Sequence, residues 1–233
     1  MNVLAIGAHS MDILFVCGGT LAKYALNGHA VSLAVMCTAD TERPEFSHEQ
    51  WAASQEREFG EAAAVIGADF YHLGFSTFGV NFDPQSKLRV VEVIRRARPE
   101  VIITHDPGDY SADHTVTSQL VFEASFMARY PTVKTETPAD RVFSHVVFGD
   151  TVSGLNFAPD DFVNITEVMD TKRRMLECHR TEIDAYAHNA VYEWREWMEV
   201  SARYRGTQCG ARYAEAFRHG QRWSMMSARR ILP

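Results

Sequence analysis

The apolar run Val3-Leu4-Ala5-Ile6-Gly7-Ala8 ends at His9, and Asp12 and the pair Gly18-Gly19 follow closely. A strand that closes in a His-x-x-Asp loop and leads into a helix presents an imidazole and a carboxylate at the strand's carboxyl edge, where open α/β sheets carry their chemistry. A second polar stretch, His105-Asp106-Pro107-Gly108-Asp109-Tyr110-Ser111-Ala112-Asp113-His114, follows the apolar run Val101–Thr104. Its polar groups are expected at the same edge. Two histidines and one carboxylate are a ligand set for catalytic zinc with one position open to water. Such an ion makes its water acidic near neutral pH and polarises a carbonyl. Iron, cobalt or nickel also suit two histidines and an aspartate.

Positioning both loops at one edge calls for alternating strands and helices, and the pattern supplies them. Strands are expected at residues 3–7, 30–37 (ending at Thr38-Ala39-Asp40), 69–73, 101–104 and 141–149. Helices are expected at 18–27, 50–66, 87–98, 115–129 and 168–179. The repeated order calls for a parallel sheet with right-handed crossovers. The expected fold is α/β: a single domain over residues 1–233 with a Rossmann-like, mostly parallel sheet flanked by helices. The Arg- and aromatic-rich tail from Asp184 reads as a helical C-terminal cap, and polar residues 131–138 read as a mobile loop. With 233 residues, 46% of them hydrophobic, the chain can bury a sizeable core. Its net charge of −7 opposes non-specific nucleic-acid binding and favours a small-molecule substrate. Four scattered cysteines outline neither a zinc knuckle nor a disulfide framework, which points to reduced thiols in the cytoplasm. No apolar run reaches the roughly 18 residues of a membrane span.

The residues resemble the PIG-L or LmbE-like zinc enzymes, best known as N-acetylglucosaminyl and thiol-biosynthesis deacetylases. The resemblance runs through Ala8-His9-x-x-Asp12, Cys17-Gly18-Gly19-Thr20-Leu21-Ala22, Arg57-Glu58 before Ala62-Ala63, Asp113-His114, Ile165-Thr166 with Lys172 to His179, and Tyr213-Ala214-Glu215-Ala216-Phe217. It implies that His9, Asp12 and His114 are zinc ligands, that Asp113 steadies a ligand, and that Arg57 reaches substrate. Two positions depart from the pattern. The deacetylases read Ala-His-Pro-Asp-Asp-Glu, the first Asp being the general base, whereas this chain has Met11 there. Methionine accepts no proton. A second histidine that helps stabilise the oxyanion is replaced by Ser111. Asp106, Asp109, Tyr110 and Glu58 are candidate substitutes, with Met11, Ser111 and Arg57 expected at the substrate. A branch resembling 4-oxalomesaconate hydratases also reads Ala-His-Ser-x-Asp. Three functions therefore stand: a zinc amide hydrolase acting on an N-acyl amino sugar, a zinc hydratase of an unsaturated oxo-acid, and a metal-binding relative without turnover.

Structural roles compete for several of these residues. His105 suits a hydrogen-bonding position beside the site, His145 a core, and His29, His48, His188 and His219 the surface. Arg57 stands four residues before Glu61, the spacing of a helix-surface ion pair. Gly18-Gly19 lacks the wider phosphate-loop pattern and fits close helix packing. Arg203, Arg205, Arg212 and Arg218 interleave with Tyr204, Tyr213 and Phe217, which suits an acidic substrate, a neighbouring subunit of a homo-oligomer, or a solvated helix face. His179-Arg180-Thr181-Glu182 stands where relatives carry His-x-Ser-Gln and is expected to border the site.

Overall fold

The computed structural model describes residues 1–38, 46–141, 143–186, 193–221 and 231–233; the expected strand end at Ala39-Asp40 and His188 lie outside them. The described strands are β1 (Asn2–Gly7), β2 (Ala30–Thr38), β3 (Asp69–Ser76), β4 (Val101–Thr104), β5 (His145–Gly149), β6 (Asp161–Asn164) and β7 (Ala214–His219). The helices are α1 (Ser10–Leu26), α2 (His48–Ala64), α3 (Pro84–Ala97), α4 (Ala112–Met127), α5 (Met169–Glu177), α6 (Arg180–Tyr186) and α7 (Trp194–Cys209). One sheet runs in the order β3-β2-β1-β4-β5-β7-β6, parallel from β3 to β5, with β7 antiparallel to both its neighbours.

Alternation along the strands builds a core on each face. Val3 and Ala5 of β1 join Leu33, Val101 and Val147 in one cluster, under α1, α2, α5 and α7. Leu4 and Ile6 join Ala34, Ile102 and Val146 in the other, under α3 and α4. Burial on both faces explains why these strands read as continuous apolar runs. Strand order reverses between β1 and β4, which pair from Val3↔Val101 to Ile6↔Thr104. The crevice beyond their carboxyl ends is where such sheets bind ligands.

Several elements differ from expectation, β6 among them. Helix α1 starts at Ser10, so Asp12 lies in its first turn and not in a loop. Residues 214–219 are a strand, because pairing on both sides with β5 and β6 overrides the helical propensity of Ala-Glu-Ala. The stretch 131–138 is irregular but laced to α3: Arg95 donates to the carbonyls of Ala128, Tyr130, Val133 and Thr137 at 3.0 Å and to Thr135 Oγ1 at 2.8 Å.

A buried ion pair is set against the middle of α1. Glu215 of β7 accepts the N–H groups of Gly19 (2.8 Å) and Thr20 (2.7 Å), while Lys172 of α5 donates to Phe15 O and to Glu215, both at 2.6 Å. In an ideal helix the Gly19 N–H is the partner of Phe15 O. Here a carboxylate meets the one and an ammonium the other. The glycine pair admits this packing, since a Cβ on Gly19 would stand 2.8 Å from Ile165.

Candidate metal centre

Both loops that carry the chemistry continue directly into helices at the β1/β4 reversal. His9 is the extended N-cap of α1, with Asp12 one turn in. Asp113 and His114 occupy the first turn of α4, with Ser111 as its N-cap. The result is a convergent group: His9 Nδ1 and His114 Nε2 each lie 2.8 Å from Asp12 Oδ2. Donor atoms of these three residues all lie within 4.8 Å of one another, so they could hold a metal ion. The outer ring nitrogens are also engaged. His9 Nε2 pairs with Asp113 Oδ2 at 3.3 Å, and His114 Nδ1 with Asp109 Oδ2 at 3.0 Å. Carboxylates behind ligating histidines fix the ring orientation and tautomer in metal sites.

Electrostatics follow from this packing. Burial pushes the His9 imidazole down, but hydrogen bonds to Asp113 and Asp12 outweigh it and raise its pKa to about 10. Burial likewise opposes protonation of His114, and the Asp12 charge with the bonds to Asp109 and Asp12 raises it to about 9. Asp12 is held well below the usual carboxylate range, the charge and hydrogen bond of His114 overcoming its burial. Three groups in a shared proton network, two favouring a cation and one an anion, form a set that a metal ion can enter by displacing protons. His105 backs the site without joining this triad: its Nε2 accepts the Ala8 N–H at 2.9 Å, and its ring stacks on His114 with centroids 4.0 Å apart.

The other sequence candidates lie at varied distances from the centre. Asp109 is committed to His114 and to the Ser111 N–H. Asp106 accepts from Gly108 N–H at 2.7 Å and from Arg218 at 2.5 Å. Tyr110 is 54% exposed, while Met11 is buried in the core between Ser10 and Asp12. Arg57 pairs with Glu58 and Glu61 on its own helix. Glu58 is spent on α6, accepting the Thr181 N–H and the Thr181 hydroxyl (2.6 Å). Of the Arg-rich stretch, Arg203 pairs with Glu199 and Arg205 with Asp150.

Two further residues emerge from the geometry. Glu182 of α6 is buried and accepts a hydrogen bond from Ser10 Oγ at 3.1 Å. Burial first, and then the Asp12 charge, push its pKa up to about 7. Its only signal in the sequence is its place in His179-Arg180-Thr181-Glu182. Phe78 carries a positive φ of 59°, is 85% exposed, and donates its N–H to Asp113 Oδ2 at 3.1 Å. A non-glycine residue in that backbone region is strained, and such strain gathers at functional sites.

An open, mostly parallel sheet whose strand order reverses beside a His/Asp group able to hold a divalent metal defines a class of α/β enzyme. Within that class the chain belongs to the PIG-L family, whose model, described as GlcNAc-PI de-N-acetylase, matches residues 4–125, more than half of the sequence. It is similar to the 4-oxalmesaconate hydratase of Pseudomonas putida, with 27% identity over 76% of this chain and 72% of the relative. It is also similar to the diacetylchitobiose deacetylase of Thermococcus kodakarensis, with 26% identity over 93% of this chain and 82% of the relative. The crystal structure of N,N'-diacetylchitobiose deacetylase from Pyrococcus horikoshii shares the fold, with a TM-score of 0.80 at 23% identity over 94% of this chain and 83% of that one. The protein is thus an enzyme, a hydrolase or a hydro-lyase. No described helix is long and apolar enough to cross a membrane.

Proposed function

We propose that the protein is a cytoplasmic, zinc-dependent amidase that removes an acetyl or similar acyl group from the nitrogen of an amino sugar or related small molecule. The observation that carries this reading is the likeness to amino-sugar deacetylases along most of the chain, and the buried Glu182 carboxyl beside Ser10, pushed up to about 7, supplies an acid-base group. His9, Asp12 and His114 would hold the ion. Bound there, zinc supplies a water that ionises near neutral pH and a Lewis acid for the carbonyl oxygen.

The remaining work falls to the chain itself. Glu182 takes the proton that Met11 cannot and returns it to the departing amine. Asp113 and Asp109 hold the His9 and His114 rings. Phe78 and Tyr110 offer exposed aromatic faces on which a sugar ring can pack. Arg57, Arg180, Arg205 and Arg218 are each paired with a carboxylate.

A second reading, hydration of an unsaturated oxo-dicarboxylate, is favoured by Met11 and by the Ala8-His9-Ser10-x-Asp12 pattern. Glu182 would then deliver a proton to carbon. Metal analysis of the purified enzyme, with paired assays on N-acetyl amino sugars and unsaturated oxo-dicarboxylates, separates the two. Acetate release that a chelator abolishes and zinc restores is expected. Chelator-sensitive loss of the oxo-acid absorbance with no acetate from any sugar would overturn the amidase reading in favour of the hydratase.

A further inference from the structure

A second donor set lies on the outer side of His9. A ring nitrogen of His9, the Cys37 Sγ and a carboxylate oxygen of Asp113 lie within 4.8 Å of one another. The sheet creates this contact: the Cys37 N–H at the end of β2 donates to Ala8 O at 2.8 Å, which seats the residue beside His9. Asp113 comes from the first turn of α4 and faces His9 Nε2, the nitrogen turned away from Asp12. Cys37 is not in a disulfide.

We propose that His9 Nε2, Cys37 and Asp113 form a second, thiol-bearing site for a divalent cation, and that this site competes with the first for His9. The competition rests on the reading that His9 serves the first centre through Nδ1. A neutral imidazole offers one lone pair. With the proton on Nε2, held by Asp113, the lone pair on Nδ1 faces Asp12 and His114. With the proton on Nδ1, held by Asp12, the lone pair on Nε2 faces Cys37 and Asp113. An ion entering the second set therefore draws His9 away from the first, leaving the first ion on Asp12 and His114 with activity impaired.

Charge and softness define the ligand. The Asp113 carboxylate and a Cys37 thiolate together neutralise a dication, the thiol proton passing to solvent as the metal–sulfur bond forms. A thiolate selects zinc or cadmium over magnesium or manganese. The His9 side chain is 20% exposed, which gives an ion a way in. A third set among the described residues, His105, Asp109 and His114, is buried throughout, and its His105 Nε2 is taken up by the Ala8 N–H.

Cobalt serves as a spectroscopic probe, with cadmium as its thiophilic competitor. Titrating the wild-type enzyme is expected to produce a thiolate-to-cobalt charge-transfer band that grows with a second equivalent of metal, while activity falls. Cys37→Ala and Cys37→Ser should each bind one equivalent fewer, show no such band and resist inhibition by cadmium. Two variants are used because a buried serine could cost stability. His114→Ala should lose the first equivalent and keep the band. Absence of the band in wild-type protein at saturating cobalt, or its persistence without Cys37, would overturn the second site. Unchanged metal stoichiometry in His114→Ala would overturn the first-centre assignment instead, while the band alone decides the second site.

Discussion

Asp12 shares one oxygen between two imidazoles, and each imidazole is held from behind by its own carboxylate. Losing a carboxylate behind a ligand typically weakens metal binding about 10–100-fold. Asp109→Asn should therefore raise the metal dissociation constant of the first centre by that factor, read by competition with a chromophoric chelator, while His114→Ala should lose the equivalent bound there. Glu182 sits outside that shell, so Glu182→Gln is expected to keep its metal and lose about 10²–10⁴-fold in kcat. A bound dication draws the Glu182 carboxyl below its metal-free value of about 7. The wild-type rate should accordingly rise with pH through a limb at or below about 7, and the limb should shift in the variant; a pH profile identical to wild type would remove Glu182 from the reaction. That His9 and Asp12 come together was legible because both follow an apolar strand closely, whereas His114, well beyond Thr104, was singled out by the family resemblance. Glu182 was not, because it is a lone acid in α6 that only the folded chain brings to Ser10.

Among the elements, α1 joins the site to the core. Its amino end carries His9 and Asp12, and its middle is held by Lys172 and Glu215. Removing one partner of a buried ion pair typically costs about 3–5 kcal/mol, so Lys172→Met should lower the urea midpoint by a corresponding amount. Gly19→Ala drives a methyl against Ile165 and should cost about 1–3 kcal/mol in the same measurement. Unfolding midpoints equal to wild type in both variants would show that α1 needs no such support. The parallel strands were readable from their apolar runs, with Val101–Thr104 matching throughout. Strand β6 escaped notice because its four residues carry Asp and Asn at the ends and bury only Val163 fully. Strand β7 escaped because alanine and glutamate favour helix until both edges of the segment are paired.

For the molecule as a whole, the metal group links folding to pH. In metal-free protein His9 and His114 titrate near 10 and 9, above the ordinary 6.5. Such groups stabilise the fold fully below pH 6.5, and the contribution is lost as pH rises through about 9 to 10. The stripped protein should thus show a falling Tm across that window. The loaded protein should behave oppositely relative to it, because protons leave the ligands and metal affinity grows. Thermal scans with and without chelator check this, and a gap that narrows as pH rises would contradict it. The overall α/β order was visible in the alternation of periods, whereas the placement of β7 between β5 and β6 depends on contacts far apart in sequence. That placement bears on biosynthesis. Because the clamp on α1 comes from Lys172 and Glu215, a nascent chain emerging from the ribosome leaves α1 unclamped until Glu215 has been made.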